Sequence, residues 1–305
     1  MKKILLIGAN EKVHVINRLI TNLKTRNISF DFFKWGSLTF QGTTLSAGRS
    51  TLIDPENYFS AFLDVPAFDI ITTRNPDERI PFKIANEFDL ITKKLARHDV
   101  HVLNGEFKLN NPYYNKFTQS FLFDDLQIPS IPSLHPVDNS LSKVSKMIQE
   151  YSLEFPLVIK QSQGGMGLNV WKIHNEQELA GFLEGKRNWS LIYQPFIEND
   201  GDYRVLTVAG KSIGIMKRVA KSGEWRNNFS LGGSTEKHSD RAMESFVENI
   251  CKKLGLEYCG ADILKTKDGF MVIEINLFAC FEGFEKTFPE IDVAEKIVDT
   301  LIELH

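Results

Sequence analysis

Phe270-Met271-Val272-Ile273-Glu274-Ile275-Asn276 is an apolar run interrupted by a carboxylate and an amide two positions apart. Successive side chains of a strand point to opposite faces, so Glu274 and Asn276 emerge together. A carboxylate and an amide oxygen held side by side on a rigid strand suit a hard cation such as Mg²⁺, which shares its shell with phosphates and water. Upstream, Tyr258-Cys259-Gly260-Ala261-Asp262-Ile263-Leu264 is a second apolar run with a single acid, and Asp268-Gly269 between the two is a hairpin signal. That hairpin would bring Asp262 to Glu274 and Asn276. Taken singly, each reads as a polar residue on a solvated sheet face. Their grouping amid apolar neighbours is what points to a metal site.

A second constellation lies about a hundred residues earlier. Phe155-Pro156-Leu157-Val158-Ile159-Lys160 reads as a strand ending on a lysine, and Leu168-Asn169-Val170-Trp171-Lys172-Ile173 as its antiparallel partner. The loop between them, Gln161-Ser162-Gln163-Gly164-Gly165-Met166-Gly167, is glycine-rich. Glycines such as Gly164 and Gly165 let backbone N–H groups approach phosphate oxygens, and Lys160 would add a point charge. No GKS or GKT opens a helix after the loop, so it is not a Walker loop. Alone, such a loop is more often just a turn. Set against a carboxylate pair on a distant strand, it suggests two sheets clamping a nucleoside triphosphate.

The elements that must position these residues follow from periodicity. Residues 3–8, 13–23 and 29–33 read as strand, helix and strand, which implies a parallel sheet. Gly8-Ala9-Asn10 falls where a dinucleotide fingerprint would begin, but the further glycines of GxGxxG are absent, which argues against a nicotinamide site. Residues 35–55 are polar and turn-rich, expected as hairpins or a long loop. A strand at 68–71, a long helix at 80–98 and a strand at 100–103 complete a first α/β unit. Helices are expected at 114–126, with Lys116 near the start, and up to 151, 175–183, 241–254 and 293–304; strands are expected at 191–197, 203–208 and 212–219.

Bulk properties exclude several classes. The 305 residues are 42% hydrophobic and 25% charged, an ordered composition, and a formal net charge of −3 provides no global basic field for nucleic acid. Cys251, Cys259 and Cys280 lack CxxC spacing, so neither a disulfide framework nor a zinc site is indicated. No signal peptide and no apolar run approaching the ~20 residues of a membrane span is present. The sequence reads as soluble and cytoplasmic.

With these residues in place, the chain resembles the ATP-grasp superfamily and, within it, the RimK-type amino-acid (glutamate) ligases. The resemblance runs from about residue 103 to 294. It is carried by Asp202-Tyr203-Arg204-Val205-Leu206, by Lys217-Arg218-Val219-Ala220-Lys221-Ser222-Gly223-Glu224-Trp225-Arg226-Asn227-Asn228, and by Leu231-Gly232-Gly233-Ser234. Gly260-Ala261-Asp262-Ile263-Leu264, Glu274-Ile275-Asn276 and Glu282-Gly283-Phe284-Glu285-Lys286-Thr287 carry it further. It implies an α/β (α+β) ATP-grasp fold with an N-terminal Rossmann-like pre-ATP-grasp domain at 1–103, a central small subdomain with the glycine hairpin at 104–187, and a C-terminal subdomain with the metal site at 188–305.

The resemblance also implies roles. Lys116 and Lys160 would reach ATP phosphates, although Lys116 alone reads equally as a solvated helix lysine. Gln194, Pro195, Phe196 and Ile197 resemble the linker whose backbone reads adenine. The family often has an acid where Pro195 stands, and Pro195 has no N–H to donate, so recognition would fall to neighbouring backbone. Asp202 would meet a ribose hydroxyl, and Arg226, Asn227 and Asn228 the region near the phosphates. Asp262, Glu274 and Asn276 resemble the set holding two Mg²⁺ or Mn²⁺ ions. Arg204, Lys217 and Arg218 are candidates for the acceptor carboxylate and acylphosphate, with Arg218 and Arg226 for the tetrahedral intermediate; any one arginine reads equally as a structural ion pair.

The implied function is an ATP-dependent ligase joining a small amino acid to a peptide, protein or metabolite carboxylate through an acylphosphate, without nucleic-acid or membrane partners, in a homo-oligomer. An ATP-binding scaffold without catalysis and a glutathione-synthetase-like ligase are the alternatives. Many relatives continue after Asn276 with a small residue and Ser-Pro-Gly. Here Leu277-Phe278-Ala279-Cys280-Phe281 predicts a bulkier, more apolar pocket wall and an acceptor unlike that of the ribosomal-protein ligases, with Cys280 read as a buried small residue in preference to a thiol in the pocket.

Overall fold

The computed structural model describes residues 2–42, 44–48, 51–64, 81–112, 114–162, 169–227 and 232–304. The chain begins with β1 (Lys3–Gly8), α1 (His14–Thr25) and β2 (Phe30–Lys34), followed by β3 (Leu38–Gln41), β4 (Thr44–Ala47) and β5 (Thr51–Leu52). Then come β6 (Tyr58–Leu63), α2 (Pro81–Ala96) and β7 (His101–Val102). β2-β1-β6-β7 form a parallel sheet, and β3-β4-β5 a small antiparallel one, so the polar stretch at 35–55 is built of hairpins. Ile4, Leu5, Leu6 and Ile7 are fully buried, as expected of a parallel strand covered on both faces. A side chain on Gly8 would stand 2.7 Å from Cγ1 of Ile16. The glycine therefore serves close packing of α1 against β1. β6 escapes the periodicity analysis because Ser60 and Ala61, both fully buried, break its apolar run. The strand expected at 68–71 lies outside the described residues.

The middle of the chain holds α3 (Gly105–Asn110), α4 (Lys116–Asp125), α5 (Leu141–Glu150), β8 (Leu157–Gln161), β9 (Val170–Ile173), α6 (Glu176–Leu183) and β10 (Leu191–Pro195). β10-β8-β9 form an antiparallel sheet. Its core joins Leu157, Ile159, Leu191 and Tyr193 to Val144 and Ile148 of α5 and Leu179 and Leu183 of α6.

The last part holds β11 (Asp202–Val208), β12 (Lys211–Val219), β13 (Ser234–His238), α7 (Arg241–Leu254), β14 (Tyr258–Thr266), β15 (Gly269–Asn276), α8 (Glu282–Thr287) and α9 (Val293–Glu303). These strands form one antiparallel sheet in the order β13-β12-β11-β14-β15. α7 starts where the Asp240 carboxylate accepts from the N–H groups of Ala242 and Met243, and it buries Met243, Val247, Ile250, Cys251 and Leu254 at helical spacing. β13 is an edge strand of mostly exposed polar residues, which left no apolar alternation to read.

The two large sheets share a core. Val15, Ile16, Leu19 and Leu23 of α1 and Val293, Ile297, Val298 and Leu301 of α9 pack with Ile4 and Leu6 of β1, and also with Leu206, Val208 and Met216 of β11 and β12. An ion-pair cluster caps the contact: Glu285 of α8 receives His14 at 3.0 Å and Arg18 at 3.1 Å. Among the described residues, no helix is long and apolar enough to cross a membrane.

Candidate active site

Pairing register alone gathers most of the charged residues on one face of the C-terminal sheet. Arg204 lies opposite Asp262 on β14, and Asp262 opposite Glu274 on β15, while Gly260 lies opposite Asn276. Asp202, two residues before Arg204, pairs with Arg218 of β12. Directly paired residues, and residues two apart, share a face. Arg218, Asp202, Arg204, Asp262, Glu274 and Asn276 therefore emerge together. Along β11 that face reads Asp202, Arg204, Leu206, Val208: its apolar half is covered by the shared core with α1 and α9, and its charged half is left for chemistry.

The cluster is tightly paired. Arg204 grips Asp262 with two bonds, Nε to Oδ1 and Nη2 to Oδ2, each 2.8 Å. Arg218, only 3% exposed, spans Asp202 at 2.5 Å and Asp262 at 3.1 Å. Burial pushes the Asp262 carboxyl up, but Arg204 and Arg218 overcome it and hold the group down at about 2. Asp202 shares Arg218 and is raised by its burial.

α4 and β8 bring the second half of the site. Asn115 caps α4 by accepting from the N–H groups of Phe117 and Thr118, which sets Lys116 at the first helical position. The Lys116 N–H donates to the Ser162 carbonyl at 3.1 Å and its Nζ to Glu274 Oε1 at 2.9 Å. Gln119, one turn on, accepts from the Ile275 N–H at 2.9 Å. The helix is thus pinned to both sheets. Lys160 of β8 makes no ion pair with a described carboxylate, and burial pulls its ammonium down to about 8; Glu274, Asp262 and Asp202 act against that pull, and Lys116 adds to it. The two lysines and three carboxylates found separately in the sequence therefore share one electrostatic neighbourhood.

The linker and the loop after β12 are locked to each other. Gln194 is buried, its Nε2 donating to Ser133 Oγ at 2.7 Å, and the Phe196 N–H donates to the Pro156 carbonyl at 3.0 Å. The Ile197 carbonyl accepts from Asn199, beyond Pro195 at the end of β10. Lys172 Nζ stands 3.3 Å from the Phe196 ring centroid, and Trp225 meets that ring edge-on at 5.9 Å. Asn227 closes the loop by accepting from the Ala220 N–H and donating to Asn199. Arg226 holds Glu224 with Nε and Nη2 at 3.0 and 2.8 Å, and that grip keeps the Glu224 carboxyl down at about 2.

Lys217 is not brought into the cluster. It pairs with Tyr203, so its side chain leaves the sheet on the face opposite Arg218, where it meets Asp200 at 2.9 Å. Gly164, Gly165 and Asn228 lie outside the described residues.

The expectation for 277–281 is corrected. Leu277, Ala279 and Phe281 are buried, and Phe278 meets Phe88 edge-on at 5.5 Å, so the bulky side chains fill cores. Cys280, expected buried, is exposed. The segment is held by groups that sequence reasoning missed. Tyr258 Oη donates to the Ala279 carbonyl, and Ala279 Cβ lies 2.8 Å from where a Gly260 side chain would start, with Arg204 Nε 3.5 Å from the same point. Asn104, in the left-handed region at φ 57°, donates through Nδ2 to the carbonyls of Tyr258 and Leu277 and accepts through Oδ1 from the N–H groups of Glu257 and Tyr258. Its sequence signal was the Asn-Gly pair just after a strand.

The donor set suits a hard divalent cation: two carboxylates and an amide oxygen on adjacent strands, with the Asn276 amide making no side-chain hydrogen bond to a described residue. Among the described residues, no group of three or more His, Cys, Asp or Glu is placed to hold a metal ion.

A small antiparallel sheet carrying a half-buried lysine, set against a larger sheet carrying acids and arginines, is the ATP-grasp architecture. The chain belongs to the RimK-like ATP-grasp family, whose domain matches residues 130–301. A "Probable alpha-L-glutamate ligase" of Haemophilus influenzae is 31% identical over 173 residues, 54% of this chain and 57% of the relative. One from Maridesulfovibrio salexigens is 36% identical over 149 residues, 47% and 49% of the two chains. The match thus spans about half the length of these curated relatives. The whole fold is shared with the ATP-grasp ligase PsnB, solved with Mg, ADP and a phosphomimetic variant of its minimal precursor (TM-score 0.70, 18% identity, 99% and 98% of the chains). D-alanyl-alanine synthetase A of Vibrio cholerae is similar over 99% and 98% of the chains (TM-score 0.67, 15% identity).

Proposed function

We propose that this chain is an ATP- and Mg²⁺-dependent carboxylate–amine ligase that adds an amino acid to a peptide or small-molecule carboxylate through an acylphosphate. The observation that carries the reading is Lys160: a half-buried ammonium without an ion pair to a described carboxylate, within electrostatic reach of Glu274, Asp262 and Asp202 on the larger sheet. Such a group suits an anion that carries its own counter-charge, as a metal-bound triphosphate does.

Lys160 and Lys116 take the phosphates, and the linker at 194–197 takes the base. Asp262, Glu274 and Asn276 hold one or two Mg²⁺ or Mn²⁺ ions, which when bound neutralise charge on the phosphate oxygens. Arg204 and Arg218 hold the acid face in register and present guanidinium N–H groups toward the acceptor. A carboxylate is a poor acyl donor until phosphorylated; once it is, attack by an amine releases phosphate. Arg218 and Arg226 stabilise the negative oxygen of the tetrahedral intermediate, since preorganised donors in a site sheltered from water act most strongly where charge develops. The relatives named as glutamate ligases, and PsnB solved with its precursor peptide, support an amino acid and a peptide as the two substrates.

The test is ADP release from the full chain with Mg·ATP, screening the common amino acids against short peptides and dicarboxylic acids. ADP forming only when acid and amine are both present supports the reading. ATP binding with no ADP from any pair would identify a nucleotide-binding scaffold instead.

A further inference from the structure

The N-terminal parallel sheet contributes an acid that the preceding mechanism does not use. The order β2-β1-β6-β7 reverses direction between β1 and β6, and the carboxyl ends of strands at such a reversal form the crevice where parallel sheets bind ligands. Asp64 stands there, one residue beyond β6. Its backbone is fixed twice: its N–H donates to the Ile7 carbonyl at 2.8 Å, and its carbonyl accepts from the Trp35 indole at 2.6 Å. The residue is 5% exposed, and its carboxylate makes no hydrogen bond or ion pair with a described residue. A buried carboxylate without a partner is costly unless a cation joins it.

The surroundings indicate which cation. Asp64 acts electrostatically on both Cys280 and Tyr258, and Arg204 acts on the same two groups. Tyr258 holds the strap at Ala279, and Ala279 lies against Gly260 beside Arg204. Phe62, two residues before Asp64 on the same side of β6, meets the Tyr258 ring at 6.5 Å, so the end of β6 runs toward the strap that carries the exposed Cys280. No described lysine or arginine neutralises Asp64, and burial pushes its carboxyl up to about 6. A carboxylate so placed is a better proton acceptor than an ordinary aspartate.

We infer that Asp64 receives the amine substrate: its carboxylate takes the primary ammonium as counter-ion and accepts the proton that must leave before attack. The inference rests on the ligase reading above. One ammonium proton passes to Asp64 and frees the nitrogen lone pair. The nitrogen forms its bond to the acyl carbon, and the carbon–oxygen bond to phosphate breaks with its electron pair on phosphate. The second proton leaves with the phosphate, giving an amide and hydrogen phosphate. The ligand class is a primary amine that is charged at neutral pH, such as an amino acid.

Hydroxylamine separates this role from a structural one, because it is uncharged at neutral pH and needs neither counter-ion nor proton acceptor before attack. The full chain and Asp64→Asn are assayed for ADP release with Mg·ATP and a pool of synthetic tetrapeptides as carboxylates. The nucleophile is either the common L-amino acids or hydroxylamine. The expected result is an amine KM raised by about tenfold to a hundredfold in Asp64→Asn, with a far smaller loss toward hydroxylamine. Asp64→Ser, which removes the charge with a smaller side chain, should repeat the pattern. An unchanged amine KM, or equal losses toward both nucleophiles, would overturn the assignment. No ADP from the native chain with either nucleophile would overturn the ligase reading, and this assignment with it.

Discussion

Asp64→Asn should make the protein more stable at neutral pH, and the gain should vanish in acid. The Asp64 carboxyl sits at about 6 in the folded chain against an ordinary 3.8, with burial as the cause. A shift of about 2 units corresponds to about 3 kcal/mol of differential stability. The sign follows from proton counts. Between those two values the folded chain holds a proton that the unfolded chain has released, so stability falls as pH rises toward 6 and stays lowered above it. Below 3.8 both states are protonated and the penalty is absent. Asparagine carries no charge and escapes this dependence, although its own buried amide costs about 1–3 kcal/mol if unpaired. That cost does not vary with pH. The advantage of Asp64→Asn at pH 8 should therefore exceed its value at pH 3.5 by about 3 kcal/mol, roughly 1 M in urea midpoint for a chain of this size. Urea titration followed by tryptophan fluorescence reads it, Trp35 being bonded to the Asp64 carbonyl. A difference between native and variant that stays constant across this pH range would show that Asp64 is neither perturbed nor without a partner, and would remove the physical ground for its proposed role.

Other outcomes can be checked in parallel. Glu274→Ala should lower ADP release by about 100- to 1000-fold, since it removes a carboxylate from the proposed metal set; full activity would exclude that set. Arg218→Met should cost about 3–5 kcal/mol in a denaturant titration, because it leaves Asp202 and part of the grip on Asp262 buried without their cation. Asn104→Ala should cost about 2–4 kcal/mol by calorimetry, as it removes hydrogen bonds to Glu257, Tyr258 and Leu277 and places alanine at φ 57°. Iodoacetamide should label Cys280 in the folded protein and Cys251 and Cys259 only after unfolding, read by peptide mass spectrometry.

The sequence by itself determined the elements with strong local signals and the residues those elements align. α7 was legible because Met243, Val247, Ile250 and Leu254 repeat at helical spacing, and the structure adds the Asp240 cap that starts it. The hairpin of β14 and β15 was legible because Asp-Gly joins two apolar runs, and the two-residue period of a strand then puts Glu274 and Asn276 on one face. β6 was not legible, since a strand buried on both faces need not alternate, and its small residues hide the run. With β6 unseen, Asp64 was only an acid in a loop. Tertiary structure decided the rest. Pairing partners, which no local pattern specifies, set Arg204 against Asp262 and turned Lys217 away from Arg218. Removal from water, and the lack of an ion-pair partner among the described residues, distinguish Lys160 and Asp64 from ordinary surface charges, and both depend on what the rest of the chain packs around them. The same holds for the segment after Asn276: its composition predicted a bulky pocket wall, but whether Leu277, Phe278 and Phe281 line a cleft or fill a core is settled by what surrounds them, here the packing on both sides of the strap.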